Sequence, residues 1–223
     1  MMSKQRYKYL IGIDEVGRGP LAGPVAVCVC VIPYHKSPEE SYRKFLRIHA
    51  GEIKTQCLPD LAGKDSKKLK PTQREAWKVF LKKSSARFFY AEMTAAQIDR
   101  QGIAVCISRL IDKNLMAFIK AGDVMPSDIL VLLDGGLKAP AVFSSQKTII
   151  RGDEKELVIA LASIYAKVTR DAYMKRISKN AEYAAYGFEV HKGYGTAFHR
   201  AAIRAHGPSK VHRKSFLSRI VPC

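Results

Sequence analysis

The sequence predicts an α/β protein built on a mixed, five-stranded sheet. Five short β-rich runs are spaced along the chain, stretches with an apolar period of three or four separate the later ones, and the first two are joined only by a Gly/Pro stretch, as in a hairpin. With 47% hydrophobic residues in 223, the chain can bury a sizeable core.

"KYLIGID" and "GPVAVCVCVI" read as the central hairpin, the second too uniformly apolar to face water on either side. Cys28 and Cys30 alternate along it and fill one face. Residues 34 to 65 are polar and form an inserted connection with one helical candidate, "PEESYRKFLRIHAG", stopped by Gly51. "KPTQREAWKVFLKKSS" is expected as a helix with Trp77, Phe80 and Leu81 on one face, and "ARFFYAEM" as the third strand. One or two helices follow, ending at Gly122, then strands in "SDILVLLDGG" and "KTIIRGD". A long helix is predicted from Glu154 to about Asn180, its core face carrying Leu157, Leu161, Ile164, Val168 and Ala172. The last 40 residues read as helical and basic, with Thr196 capping a helix that Gly207-Pro208 ends. Residues 1–180 are thus expected as the core and 181–223 as a basic helical region packed on it, within a single overall domain.

Charge narrows the function. Lys and Arg number 38 against 20 Asp and Glu, a net +18 that favours a polyanionic partner such as nucleic acid. A membrane is not expected: spanning needs roughly 18 apolar residues, and the longest uncharged run, Gly19 to His35, is broken by Pro20, Gly23, Pro24 and Pro33. "MMSKQRYKYL" has no apolar signal region, so a cytoplasmic protein is expected. Five cysteines without a CxxC spacing argue against a disulfide framework and a zinc site. The spacings of His191, His199, His206 and His212 fit no zinc pattern either, and phosphate or surface roles are expected for them.

Three strand ends share one plan. "IGIDEVGRG", "VLLDGG" and "TIIRGDE" each run from apolar residues to a carboxylate beside glycine. Neighbouring strand ends in an open α/β sheet lie along one edge, so Asp14, Glu15, Asp134 and Asp153 are expected to converge there. Clustered carboxylates repel, and a hard divalent cation, Mg²⁺ or Mn²⁺, suits an all-oxygen set. Adjacent strand residues point to opposite faces, so bringing Asp14 and Glu15 together requires a bend, for which Gly17 and Gly19 are placed. In a basic protein such a site points to phosphodiester hydrolysis, with paired ions roughly 3.5 to 4 Å apart acting on the attacking and leaving oxygens. No P-loop, GxSxG or HExxH motif competes.

The blocks "IGIDEVGRGPLAGPV", "DSKKLKPTQRE", "VLLDGG", "GDEKELVIALASIYAKVTRD" and "HKGYGTAFHRAAIRAHGPSKVHRKSF" resemble, in order, the bacterial type 2 ribonucleases H, ribonuclease HII. The resemblance implies a ribonuclease H-like fold and an endonuclease that cuts the RNA strand of RNA/DNA hybrids. It also implies incision 5′ of single ribonucleotides in duplex DNA, leaving 3′-hydroxyl and 5′-phosphate ends. The family's metal-binding acids fall on Asp14, Glu15, Asp134 and Asp153. Its element that reads the ribonucleotide 2′-hydroxyl through the backbone falls on Gly17, Arg18 and Gly19, its partnering tyrosine on Tyr194, and its phosphate-contacting lysine on Lys67. Ser163, Lys167 and Arg170 share a polar stripe of the long helix. Ser163 and Lys167 are the expected phosphate ligands, whereas Arg170 is assigned to local ion pairing with Asp171.

Some positions depart from the family pattern: Gly102 stands where an asparagine is usual, a second glycine follows "DG", Lys64 precedes "DSK", and the 34 to 63 segment is long. The substrates expected are RNA/DNA hybrid and ribonucleotide-containing duplex DNA, bound by a monomer. "SRIVPC" offers no glutamine-plus-aromatic motif for a sliding clamp. Three other readings compete. Ribonuclease HIII normally carries an extra N-terminal domain, for which a first acid at residue 14 leaves no room, and Tyr194 favours type 2. A non-catalytic nucleic-acid-binding module would need no carboxylate cluster. A small-molecule phosphatase would not need +18.

Overall fold

Strand β1 (Tyr9–Val16) lies at the middle of a five-stranded sheet of order β3-β2-β1-β4-β5 in a computed structural model that describes residues 7–49, 71–122, 124–218 and 220. Strand β2 (Val25–Pro33) pairs antiparallel with β1 without interruption, from Tyr9↔Pro33 to Val16↔Ala26. Strand β3 (Arg87–Met93) continues that antiparallel half. On the other side of β1, β4 (Ile129–Asp134) and β5 (Gln146–Ile149) run parallel to it and to each other. The expected mixed sheet is therefore present.

Alternation along the strands sends side chains to two apolar layers. Ile11, Ile13, Val27, Val29, Val131 and Leu133 pack against α4 (Ile103–Lys120) through Leu110, Ile111, Leu115 and Phe118. Leu10, Cys28, Cys30 and Leu132 face α6 (Leu157–Ile177) and Trp77, Phe80 and Leu81 of α2 (Pro71–Lys83). Each fully buried large side chain contributes roughly 1.5–3 kcal/mol of transfer free energy, so both layers anchor the central hairpin. Helix α1 (Pro38–His49) precedes α2. Thr94 and Gln97 form a capping box on α3 (Ala95–Gln101), and Gly102 at φ 80 separates α3 from α4.

The sequence reading is corrected at the last strand and the long helix. Strand β5 stops at Ile149, Arg151 turns the chain in the left-handed region, and Asp153 sits in a short helix, α5 (Gly152–Lys155), rather than at a strand end. The predicted helix from Glu154 is thus split, with Glu156 extended between α5 and α6. The split follows from Asp134, whose side chain captures the Gly152 amide and fixes the turn. Its apolar face is also wider than predicted: Val158 to Ile164 are all buried, whereas Ala172 is exposed and Leu157 is half-buried.

After α6 come a 3-10 turn (Ala181–Tyr186), α7 (Phe188–His191), α8 (Ala197–His206) and a further turn at Lys214–Phe216. Thr196 caps α8, accepting from the His199 amide. Their apolar residues Tyr186, Phe188, Ile203 and Leu217 close on Ala22 of the β1–β2 loop and Met174 of α6, which docks this region beside the end of β1. Among the described residues no helix is long and apolar enough to cross a membrane. Lys64 and Lys67 lie outside the described residues.

Candidate active site

Asp14 shares the α6-facing side of β1 with Leu10, two alternations earlier, and Asp134 shares that side of β4 with Leu132. Since Ile13 pairs with Leu133, the two aspartates stand one step further along adjacent parallel strands. Glu15 belongs to the opposite face. The continuous β1–β2 ladder contains no bulge, so the expected bend between Asp14 and Glu15 does not occur, and the chain turns only at Gly17. Glu15 instead reaches the site from the other face at the strand's end, close enough for its charge to act on Asp14 and for that of Asp134 to act on it.

Gly12 explains how α6 reaches these acids. A Cβ at Gly12 would lie 2.3 Å from the carbonyl carbon and oxygen of Val158, so the helix backbone rests on the strand backbone at that crossing. From Gly12 to Asp14 the strand advances about 6.6 Å, and from Val158 to Ser163 the helix advances about 7.5 Å. Ser163 therefore arrives beside Asp14, and its hydroxyl donates to that carboxylate. The Glu15 amide donates to Asp14 Oδ1 at 2.8 Å, and the Gly152 amide donates to Asp134 Oδ1 at 2.6 Å, which brings Asp153 to the same edge. Arg18 lies 3.5 Å from Glu15 Oε1.

The electrostatics are those of crowded, desolvated carboxylates. Burial pushes the Asp14 carboxyl up to about 8; the Ser163 hydrogen bond opposes this, and the charges of Glu15, Asp134 and Asp153 add to it. Burial also raises Glu15, with Arg18 acting against it. Asp14 and Asp153 are 5% and 2% exposed, so water cannot supply the missing counter-charge. Among the described residues no three His, Cys, Asp or Glu side chains already close around an ion position. Asp14, Glu15 and Asp134 are instead each held by a protein partner of their own. The donor set, four carboxylates of hard oxygen at one sheet edge, nevertheless fits a divalent cation and no softer metal.

Next to the acids, the loop of residues 17–24 is held from beneath by two guanidinium groups. Gly17, at φ 80, leaves no room for a side chain, since a Cβ would meet Arg170 Nε at 2.4 Å and Pro24 O at 2.6 Å. Arg170 donates to the carbonyls of Pro24, Ala22 and Lys192 at 2.9, 3.1 and 3.1 Å. This corrects the assignment of Arg170 to local ion pairing: it is fully buried among carbonyls, and the helix's bonded ion pair is Lys167–Asp171 at 2.8 Å. Arg18 and Gly19 remain exposed. Tyr194 is 43% exposed, with Lys167 Nζ and Arg170 Cζ 5.9 and 6.0 Å from its ring centre.

Two clefts adjoin this arrangement. One of about 220 Å³ runs past Arg18, Ser108, Gly136 and Lys138, and one of about 530 Å³ past Lys167, Lys175, Lys192 and Tyr194. The structure therefore brings together Asp14, Glu15, Asp134, Asp153, Gly17 and Ser163, with Arg18 at Glu15 and Gly19 following it. It sets Lys167 and Tyr194 together beside the second cleft. Sequence reasoning missed Arg213, which is buried against the same loop, and assigned exposed or phosphate roles to His191, His199 and His212, which are buried. The place of His191 in "HKGYG" and of His212 and Arg213 in "VHRKSF", before and after α8, was the available signal.

Comparison with known proteins bears on the family and the fold. A family model described as "Ribonuclease HII" matches residues 11–42 and 48–219. The "Ribonuclease HII" of Chlorobium chlorochromatii (strain CaD3) is 36% identical over 212 residues, covering 95% of this chain and 91% of that protein. Among solved structures, the PCNA:RNase HII complex from Archaeoglobus fulgidus is similar with a TM-score of 0.62 at 20% identity, over 92% of this chain and 93% of that one. Bst-RNase HIII in complex with Mn²⁺ is similar with a TM-score of 0.59 at 18% identity, over 91% and 64% respectively. At those identities the structures establish the shared ribonuclease H-like fold.

Proposed function

The chain belongs to the ribonuclease HII family, and from that membership we propose that it incises the strand 5′ of a single ribonucleotide in duplex DNA as well as cutting RNA/DNA hybrids, leaving 3′-hydroxyl and 5′-phosphate ends. As a family member it is a ribonuclease H, an endonuclease that acts on nucleic acid with a divalent metal. The finer reading rests on one observation: Glu15, Asp134 and Asp153 all lie close enough to act on Asp14 at the sheet edge, immediately before a loop whose Arg18 and Gly19 are exposed.

Asp14, Glu15, Asp134 and Asp153 are proposed to hold Mg²⁺ or Mn²⁺, two ions during catalysis. The bound metal supplies counter-charge to the carboxylates and polarises the scissile phosphodiester. The remaining work is done by the chain. Ser163 and the Glu15 amide hold Asp14 in one orientation. The Gly152 amide does the same for Asp134. Gly17, Arg18 and Gly19 contact the ribonucleotide, and only its 2′-hydroxyl distinguishes that sugar from its neighbours. Tyr194 lies against the adjoining sugar, with Lys167 at the phosphates; Lys67 is proposed for the same role. A site built to bond a hydroxyl rejects the deoxy analogue strongly because its own polar groups are left unpaired.

The enzyme is proposed to act as a cytoplasmic monomer. Mapping both ends of the nick on a duplex with one ribonucleotide tests the proposal. A cut on the 5′ side leaving a 3′-hydroxyl supports it, and a cut on the 3′ side refutes it.

A further inference from the structure

The loop at Gly17–Gly19 and the Tyr194 segment are joined by a hydrogen-bond system that includes none of the four acids. Arg213, fully buried, donates through Nη2 to Gly17 O at 2.6 Å, through Nη1 to Arg18 O at 3.0 Å and through Nε to Gly23 O at 3.0 Å. In a trans peptide the N–H points away from the preceding C=O. Drawing the carbonyls of Gly17 and Arg18 inward therefore turns the N–H groups of Arg18 and Gly19 outward, and neither meets an acceptor among the described residues.

His212, the preceding residue, acts on Tyr194. The Ser209 amide donates to His212 Nδ1 at 3.0 Å, so the proton of this neutral ring is on Nε2. The Tyr194 carbonyl, 2.9 Å from His199 Nδ1, can only accept, so His199 carries its proton on Nδ1. The remaining contact, His212 Nε2 to His199 Nε2 at 3.0 Å, then has one consistent direction, from His212 to His199. Backbone bonds close the frame: Arg213 N–H to Leu21 O at 2.8 Å, Leu21 N–H to Gly193 O at 2.8 Å, and Gly23 N–H to Val211 O at 2.9 Å.

We propose that His212 and Arg213 are paired positioning residues for 2′-hydroxyl recognition. Arg213 aims the Arg18 and Gly19 amides at the sugar, and His212 sets Tyr194 against them through His199. The inference rests on the reading above that this loop and Tyr194 contact the ribonucleotide.

The test compares kcat and KM on a duplex with one ribonucleotide and on a uniform RNA/DNA hybrid, for wild type, Arg213→Lys and His212→Gln. A uniform hybrid presents a 2′-hydroxyl at every register, so a displaced loop still finds productive alignments, whereas a lone ribonucleotide allows one. Lysine keeps the charge but cannot span three carbonyls. The lone-to-hybrid ratio of kcat should fall by roughly tenfold or more in each variant, with KM changing less, on the scale of one misaligned hydrogen bond. Equal losses on both substrates, or no loss on either, would overturn the inference. Should Arg213→Lys show no cooperative melt, His212→Gln, which removes no charge, decides alone. A wild type that cuts hybrids but leaves the lone ribonucleotide intact would overturn the underlying reading, and this inference with it.

Discussion

The Gly152 amide lies 2.6 Å from Asp134 Oδ1, so a strand-end acid and the turn carrying the next acid are one hydrogen-bonded unit. A Cβ at Gly152 would meet Ile159 Cδ1 at 2.7 Å and Asp134 Oδ1 at 3.3 Å. Gly152→Ala is therefore expected to shift Asp153 relative to Asp134, lowering kcat about tenfold or more while costing about 1–2 kcal/mol of stability. Steady-state kinetics beside thermal melting checks this, and unchanged kcat would show that the spacing of these two acids does not matter.

Asp14 links the site to stability. Its folded-state carboxyl, raised to about 8, holds a proton that the unfolded chain releases near pH 4, so metal-free stability should fall as pH rises between those values. Asp14→Asn removes this effect. At pH 8 with chelator the variant should melt several degrees above wild type, a gain on the order of a few kcal/mol, while cleavage is lost and duplex binding persists. Added Mn²⁺ should raise the wild-type melting temperature more than that of the variant. A variant no more stable than wild type would mean that Asp14 is not strained by burial.

The buried histidines have the opposite sign. Burial lowers His199 and His212 to about 4, below the ordinary value, so the unfolded chain takes up protons that the folded one refuses. Their contribution is complete above roughly pH 6.5 and is lost as pH falls toward 4, at about 3 kcal/mol per ring. Melting curves across that window, recorded in the Asp14→Asn background to exclude the carboxylate, should show the fall, and a flat profile would contradict the neutral relay.

Tyr194→Ala should depress cleavage at a lone ribonucleotide more than cleavage of a long hybrid. The ring is half-exposed and flanked by Lys167 and Arg170, so its removal leaves the core intact. Matching losses on both substrates would refute a role for Tyr194 in reading the isolated sugar.

The sheet and the convergence of the acids at its edge were legible because their signals are local: an apolar run, then a carboxylate with glycine nearby. Asp153 was placed on the wrong element, since the short helix at 152–155 depends on a side chain 18 residues earlier. Arg170 and Arg213 were not legible in the same way. A charged residue normally reads as surface, and what permits their burial is a set of loop carbonyls up to 148 and 196 residues away in sequence. The histidines were misread for the same reason: isolated spacings show no zinc pattern but cannot reveal that His199 and His212 complete each other's hydrogen bonds.

The most direct measurement is cleavage of a DNA duplex containing one ribonucleotide beside the matching all-DNA duplex, with Mg²⁺, with Mn²⁺ and with chelator. Metal-dependent incision at the ribonucleotide, with the all-DNA duplex intact, is the predicted result. Incision that persists in chelator, or that strikes both duplexes alike, would contradict the metal-holding acids in the first case and the 2′-hydroxyl reading in the second.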